Sequence, residues 1–186
     1  MKKVFTEENG CYSFDCTKAL WATDEIHQAY SSTEGSLNDV DLVIETEKKI
    51  IMMEYKNACI SGAAKPEAFQ PGADKKINNV VKKFYDSLHY MHLLGKEKPK
   101  EFVYVLEYPN GDSVSRRMIR NRLKKKLPFH LQDLVSDKVK LIEKVDVVSI
   151  NEWNQNEEYG MFPIKLKSEK PSSGEKSLKT TGFDGS

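Results

Sequence analysis

The sequence predicts a mixed α/β fold: a central mixed β-sheet flanked by helices. Three observations predict it. Asn38 to Lys56 reads as two apolar strands joined by a tight turn. Ala73 to Leu94 has the periodicity of a long amphipathic helix, with Ile77, Val80, Val81, Phe84, Leu88 and Met91 in one stripe. Phe102 to Tyr108 is an unbroken apolar strand, the kind that sits inside a sheet covered on both faces.

Residues 1–16 read as irregular or short-stranded. Ala19, Leu20, Ala22, Ile26 and Tyr30 recur at three- and four-residue intervals and predict a helix over 17–30, with Thr17 as its cap. Ser31 to Ser36 is a loop of small polar residues. The hairpin comes next, with its turn at Thr46 to Lys49. Residues 57–72 form a loop marked by Gly62, Pro66, Pro71 and Gly72. The long helix then starts near Asp74, an acid suited to the first turn, and stops before Gly95, suited to the position after the end. Pro109-Asn110-Gly111-Asp112 terminates the next strand. A second helix spans 115–127 and ends at Pro128. A short helix over 131–136 follows, then one or two strands within 139–150, with 145–150 the better. Beyond Ile164 apolar residues become sparse, so the expectation is one domain over 1–164 and a disordered tail over 165–186.

Composition narrows the function classes. Of the 186 residues, 31% are charged and 39% hydrophobic, and no run approaches the roughly 20 apolar residues that span a bilayer. The first residues, Met1 to Glu8, turn acidic too early for a secretory leader. A cytoplasmic protein without membrane partners is the expectation. Three cysteines, Cys11, Cys16 and Cys59, fit reduced thiols. A zinc site from Cys11, Cys16, His89 and His92 has loose spacing and is the weaker alternative to ordinary packing.

The hairpin carries the chemistry. Residues two apart in a strand share a face, so Glu54 and Lys56 point one way and Tyr55 the other. If Glu45 faces Ile50, the antiparallel register sets Asp41 opposite Glu54, at roughly 5 Å between Cβ atoms, where like charges are destabilising. Two such carboxylates need a cation between them. A hard divalent ion, Mg²⁺ or Mn²⁺, takes carboxylate oxygens, and Lys56 beside it supplies a fixed positive charge. Ile50, Ile51, Met52 and Met53 make both faces of this strand apolar. That argues against a solvated hairpin, because charges at the end of a covered strand are costly unless paired or metal-bound.

Asp41 followed by Glu54-Tyr55-Lys56 on adjacent apolar strands resembles the PD-(D/E)XK nuclease superfamily, with its restriction-endonuclease-like core. The match covers residues 38–57 and departs from the family pattern at Val40, where the name has proline. The resemblance implies a helix before the hairpin and a helix and strand after it. It implies a metal-dependent phosphodiester hydrolase acting on DNA before RNA; whether it works as a homodimer is not set by the sequence. Asp41 and Glu54 would hold the metal, joined by the backbone carbonyl of Tyr55, and Lys56 would position the water. An acid from the preceding helix would complete the site, with Glu25 the first candidate and Asp24 and Glu34 its rivals. His27 is a further candidate ligand.

Net charge is only +1, so charge distribution decides. Acids concentrate before residue 57 and bases after it. Arg116, Arg117, Arg120, Arg122, Lys124, Lys125 and Lys126 place seven positive charges on one helix with no acid among them. Surface helices more commonly mix the two signs. With Lys75, Lys76, Lys82 and Lys83 on the long helix, they form the expected nucleic-acid-binding set. Two other classes fit the same sequence: a non-catalytic nucleic-acid-binding protein on this fold, and a protein-interaction domain with a structural ion cluster.

Overall fold

A computed structural model describes residues 2–60 and 65–167; residues 1, 61–64 and 168–186, and so most of the expected tail, lie outside the described residues. The chain opens with strands β1 (Val4–Thr6), β2 (Tyr12–Asp15) and β3 (Trp21–Thr23), followed by helix α1 (Ile26–Ser31). Strands β4 (Leu42–Glu45) and β5 (Ile50–Asn57) form the hairpin. Helix α2 (Asp74–Leu93), strand β6 (Lys100–Glu107), helices α3 (Ser113–Lys126) and α4 (Phe129–Val135) and strand β7 (Lys144–Val148) follow. Helix α5 (Ile150–Gln155) and strand β8 (Ile164–Leu166) close the described chain. No helix among the described residues is long and apolar enough to cross a membrane.

The fold is mixed α/β, built on two sheets. The main sheet has the order β3-β4-β5-β6-β7. Its first three strands are antiparallel, whereas β6 runs parallel to β5 and β7 parallel to β6. Parallel neighbours need long crossovers, which α2 supplies before β6, and α3 with α4 before β7. The second sheet, β1-β2-β8, is antiparallel.

Side-chain alternation divides the core in two. Ile50 and Met52 of β5 and Phe102, Tyr104 and Leu106 of β6 point toward α1, α2 and α3, where Ile26, Ile77, Phe84, Ile119 and Leu123 cover them. Ile51, Met53, Tyr55, Val103 and Val105 point the opposite way, into a layer of Phe5, Phe14, Trp153, Tyr159 and Phe162. The central strands are therefore covered on both sides, and Tyr55 takes the face opposite Glu54, as the alternation predicts.

The hairpin has the predicted register. Glu45 pairs with Ile50, and the turn closes with Thr46 N–H donating to the Lys49 carbonyl at 2.9 Å. α2 also ends as expected: Gly95 has φ of 65°, and the Lys96 N–H returns to the Met91 carbonyl at 2.9 Å.

Three expectations need correction. The helix over 17–30 is in part strand. Trp21 to Thr23 pair with Glu45 to Val43 of β4, and helix begins only at Ile26. The helical spacing misled because Ala19 and Ala22 belong to one core layer while Ile26 and Tyr30 belong to the other. Thr17 bonds Asp15 instead of capping a helix. In the 139–150 region strand is confined to Lys144–Val148; before it, the Gln132 side chain ties down the chain by accepting from Leu141 and Ile142 N–H and donating to the Ile142 carbonyl. Finally, β8 overlaps the start of the expected tail and completes the small sheet.

Candidate functional site

Asp41 lies immediately before β4, and α2 fixes the chain that leads to it. The Asp86 carboxylate accepts from the Asn38 backbone N–H at 2.8 Å and from its side-chain amide at 3.2 Å. The Ser87 hydroxyl accepts from Val40 N–H at 3.0 Å, and the Tyr30 hydroxyl donates to the Asp86 carbonyl at 2.6 Å. Continuing the β4–β5 register by one pair sets Asp41 across from Glu54. There the Asp41 Oδ2 accepts from Tyr55 N–H at 2.7 Å. A strand residue's N–H and C=O leave the same edge, so the Tyr55 carbonyl also faces the Asp41 side.

Glu54 points toward α2 and meets Lys83. The Lys83 Nζ donates to both Glu54 oxygens, at 2.7 and 2.9 Å, and lies 3.8 Å from Asp41 Oδ1. Two carboxylates thus share one ammonium. The Glu54 side chain is only 8% exposed. Burial pushes its carboxyl well above the usual range, and the Asp41 charge adds to that, against the pull of Lys83. Asp41 is raised too, by burial first, with Lys83 and the Tyr55 N–H opposing. Its effect is the weaker because 39% of its side chain opens to solvent, where water screens it. Burial works to lower Lys83, but Glu54 and Asp41 outweigh it and hold the ammonium above its ordinary range. Burial and mutual repulsion thus disfavour the doubly ionised pair, and Lys83 opposes both.

A cleft of about 700 Å³ opens beside the pair, lined by Asp41, Lys56 and Lys83 together with Asp24, His27 and Asp39. Lys56 is exposed and shares the strand face of Glu54. Its solvent position leaves it free to meet a ligand. Glu25 is exposed at the start of α1 and does not line the cleft; Asp24, its rival, does, with its carboxylate bonded to Lys2. His27 Nδ1 lies 3.1 Å from Asp39 Oδ1 at the same rim. Asp24 and Asp39 thus line the cleft with Asp41, whereas Glu25 does not.

The donor set suits a hard divalent cation: two facing carboxylates, Asp41 on the cleft and Glu54 behind it, with a backbone carbonyl on their side. Among the described residues no group of three or more His, Cys, Asp or Glu side chains converges as a ligand cluster, so protein oxygens alone would not fill a metal's coordination sphere. The cysteine–histidine alternative does not assemble either: Cys16 is buried in the rear core layer, whereas His89 and His92 line a separate cleft at the end of α2.

The expected basic surface divides. Lys83 belongs to the carboxylate pair, not to a solvent-facing set. Arg116 is buried and makes a two-point contact with Glu152, from Nε at 2.9 Å and Nη2 at 3.1 Å. Arg120 lies 3.6 Å from Asp146, and Arg122 binds Asp74 and the Gly72 carbonyl. The helix without acids of its own has been given acids by α2, β7 and α5. Lys82 reaches the Ser36 carbonyl at 3.1 Å, and Lys76 lies over the Phe69 ring. Lys75, Arg117, Lys124, Lys125 and Lys126 are exposed.

Set against family models, curated proteins and solved structures, the chain matches none. Its functional reading rests on the site itself.

Proposed function

We propose that this protein is a divalent-metal-dependent nuclease of PD-(D/E)XK type, hydrolysing phosphodiester bonds in DNA before RNA. The observation that carries the reading is the convergence of Asp41 and Glu54 on the Lys83 ammonium, beside a cleft that Asp41 and Lys56 line. The order of elements agrees with the resemblance: α1 precedes the hairpin, and α2 and β6 follow it. Asp41, Glu54 and the Tyr55 carbonyl would hold Mg²⁺ or Mn²⁺. A bound ion of that kind supplies charge neutralisation at a phosphate and a water of lowered pKa. Lys56, free in the cleft, would orient that water and meet charge developing on the phosphate oxygens. The exposed Lys124 to Lys126 end of α3, with Arg117 and Lys75, would hold the backbone. The test is incubation with plasmid, single-stranded and branched DNA, with and without Mn²⁺. Metal-dependent cleavage is expected, and no cleavage of any substrate overturns the reading.

One observation favours a second reading. Lys83 already bonds Glu54 and approaches Asp41, which is what a structural ion cluster in a non-catalytic binding or interaction domain requires. Mn²⁺ titration separates the two, because a purely structural cluster takes up no metal.

A further inference from the structure

We infer that Lys83 is the resident counter-ion of the Asp41–Glu54 pair and competes with the divalent cation, so that metal entry displaces its ammonium from Glu54. This rests on the metal-dependent reading above and adds to it a residue outside the hairpin. The geometry is direct. Lys83 Nζ contacts both oxygens of Glu54 and lies 3.8 Å from Asp41, so it occupies the space between the carboxylates where a bridging cation would bind. Two cations cannot share that space, since like charges in a partly buried pocket repel strongly. The arrangement also permits release. Lys83 keeps 28% of its side chain exposed and lines the cleft, so a rotation of its flexible stem carries the ammonium into the cleft beside Lys56. There it becomes a second cation for a substrate phosphate. In the metal-free protein it suppresses repulsion between the two acids; in the loaded protein it changes partner.

The test is Mn²⁺ binding by calorimetry, without nucleic acid, to the wild-type protein, Lys83→Gln and Lys83→Arg. Competition predicts that K83Q binds Mn²⁺ about tenfold or more tightly than wild type, the size of a like charge removed from a partly screened site, while K83R stays near wild type. Thermal unfolding gives a second readout that serves even if metal-free K83Q is poorly folded. Its midpoint should be lower than wild type without metal and should rise further on saturation, because a ligand bound only by the native state stabilises in proportion to its affinity. Equal or weaker Mn²⁺ binding by K83Q, with wild type binding normally, overturns the counter-ion role and leaves the metal site standing. No Mn²⁺ binding by any of the three removes the metal reading itself and the competition with it.

Discussion

At the scale of single residues, the site is a balance between burial and charge. Lys56 is exposed and contributes nothing to either core layer. Lys56→Ala should therefore abolish metal-dependent cleavage while changing the unfolding midpoint by little, within the roughly 0.5 kcal/mol typical of surface substitutions; retained cleavage would remove Lys56 from the mechanism. Glu54 behaves in the opposite way. Its carboxyl is raised above the usual range by burial and by Asp41. A carboxyl raised in the folded state favours folding below the unfolded pKa of about 4.3, and that contribution is lost as pH rises through the folded value. The stability of Glu54→Gln relative to wild type should accordingly increase between pH 4 and pH 8, by about 1.4 kcal/mol for each pH unit by which the folded carboxyl is raised. Unfolding midpoints over a pH series measure it, and a constant difference between the two proteins would contradict the assignment.

At the scale of elements, one physical fact explains two corrections to the basic set, Lys83 and Arg116. A helix buries a stripe at three- and four-residue spacing. Lys83 falls on the stripe of Val80, Ser87 and Met91, and Arg116 on that of Ile119 and Leu123. Each long side chain buries its stem and turns its charge toward an acid from another element. Spacing alone could have singled out both residues as inward-facing; which acid each would meet could not be read. The basic residues of α3 should therefore respond to substitution in two ways. Neutralising Arg117, Lys124, Lys125 and Lys126 to Gln should weaken nucleic-acid binding and reduce the slope of log affinity against log salt by about 0.9 for each duplex phosphate no longer neutralised. Arg116→Gln should instead remove the cation paired with Glu152 and cost stability, about 1–3 kcal/mol, with the salt slope unchanged. Affinity over a salt series and urea unfolding distinguish the two effects.

At the scale of the whole molecule, the main sheet can hold the buried Glu54 on its central strand, across from the more open Asp41, because it is supported on both sides. The rear layer centres on Trp153, fully buried, stacked on Tyr159 at 4.9 Å and donating its indole N–H to the Phe162 carbonyl at 2.8 Å. Trp153→Ala should lower the unfolding free energy by about 3–5 kcal/mol, the usual cost of emptying a large aromatic site, measured by urea denaturation. A decrease below about 1 kcal/mol would mean that this layer hardly supports the sheet.

The hairpin, its register, the long helix and the central strand were legible in the sequence because each is set by local rules: alternation, turn chemistry and helical period. The facing of Asp41 and Glu54 was legible for the same reason, since register fixes it. Helix α5 had a local signal as well, Ser149 followed by Glu152, which forms a capping box in the structure. What only the tertiary structure decided was long-range. Trp21 to Thr23 became a strand because β4 offered an edge to pair with. The acids that neutralise α3 come from residues 74, 146 and 152. The cation between the two carboxylates comes from α2, 29 residues beyond Glu54. Such partners are chosen by packing across the chain, and no local pattern encodes which distant charge a buried acid will meet.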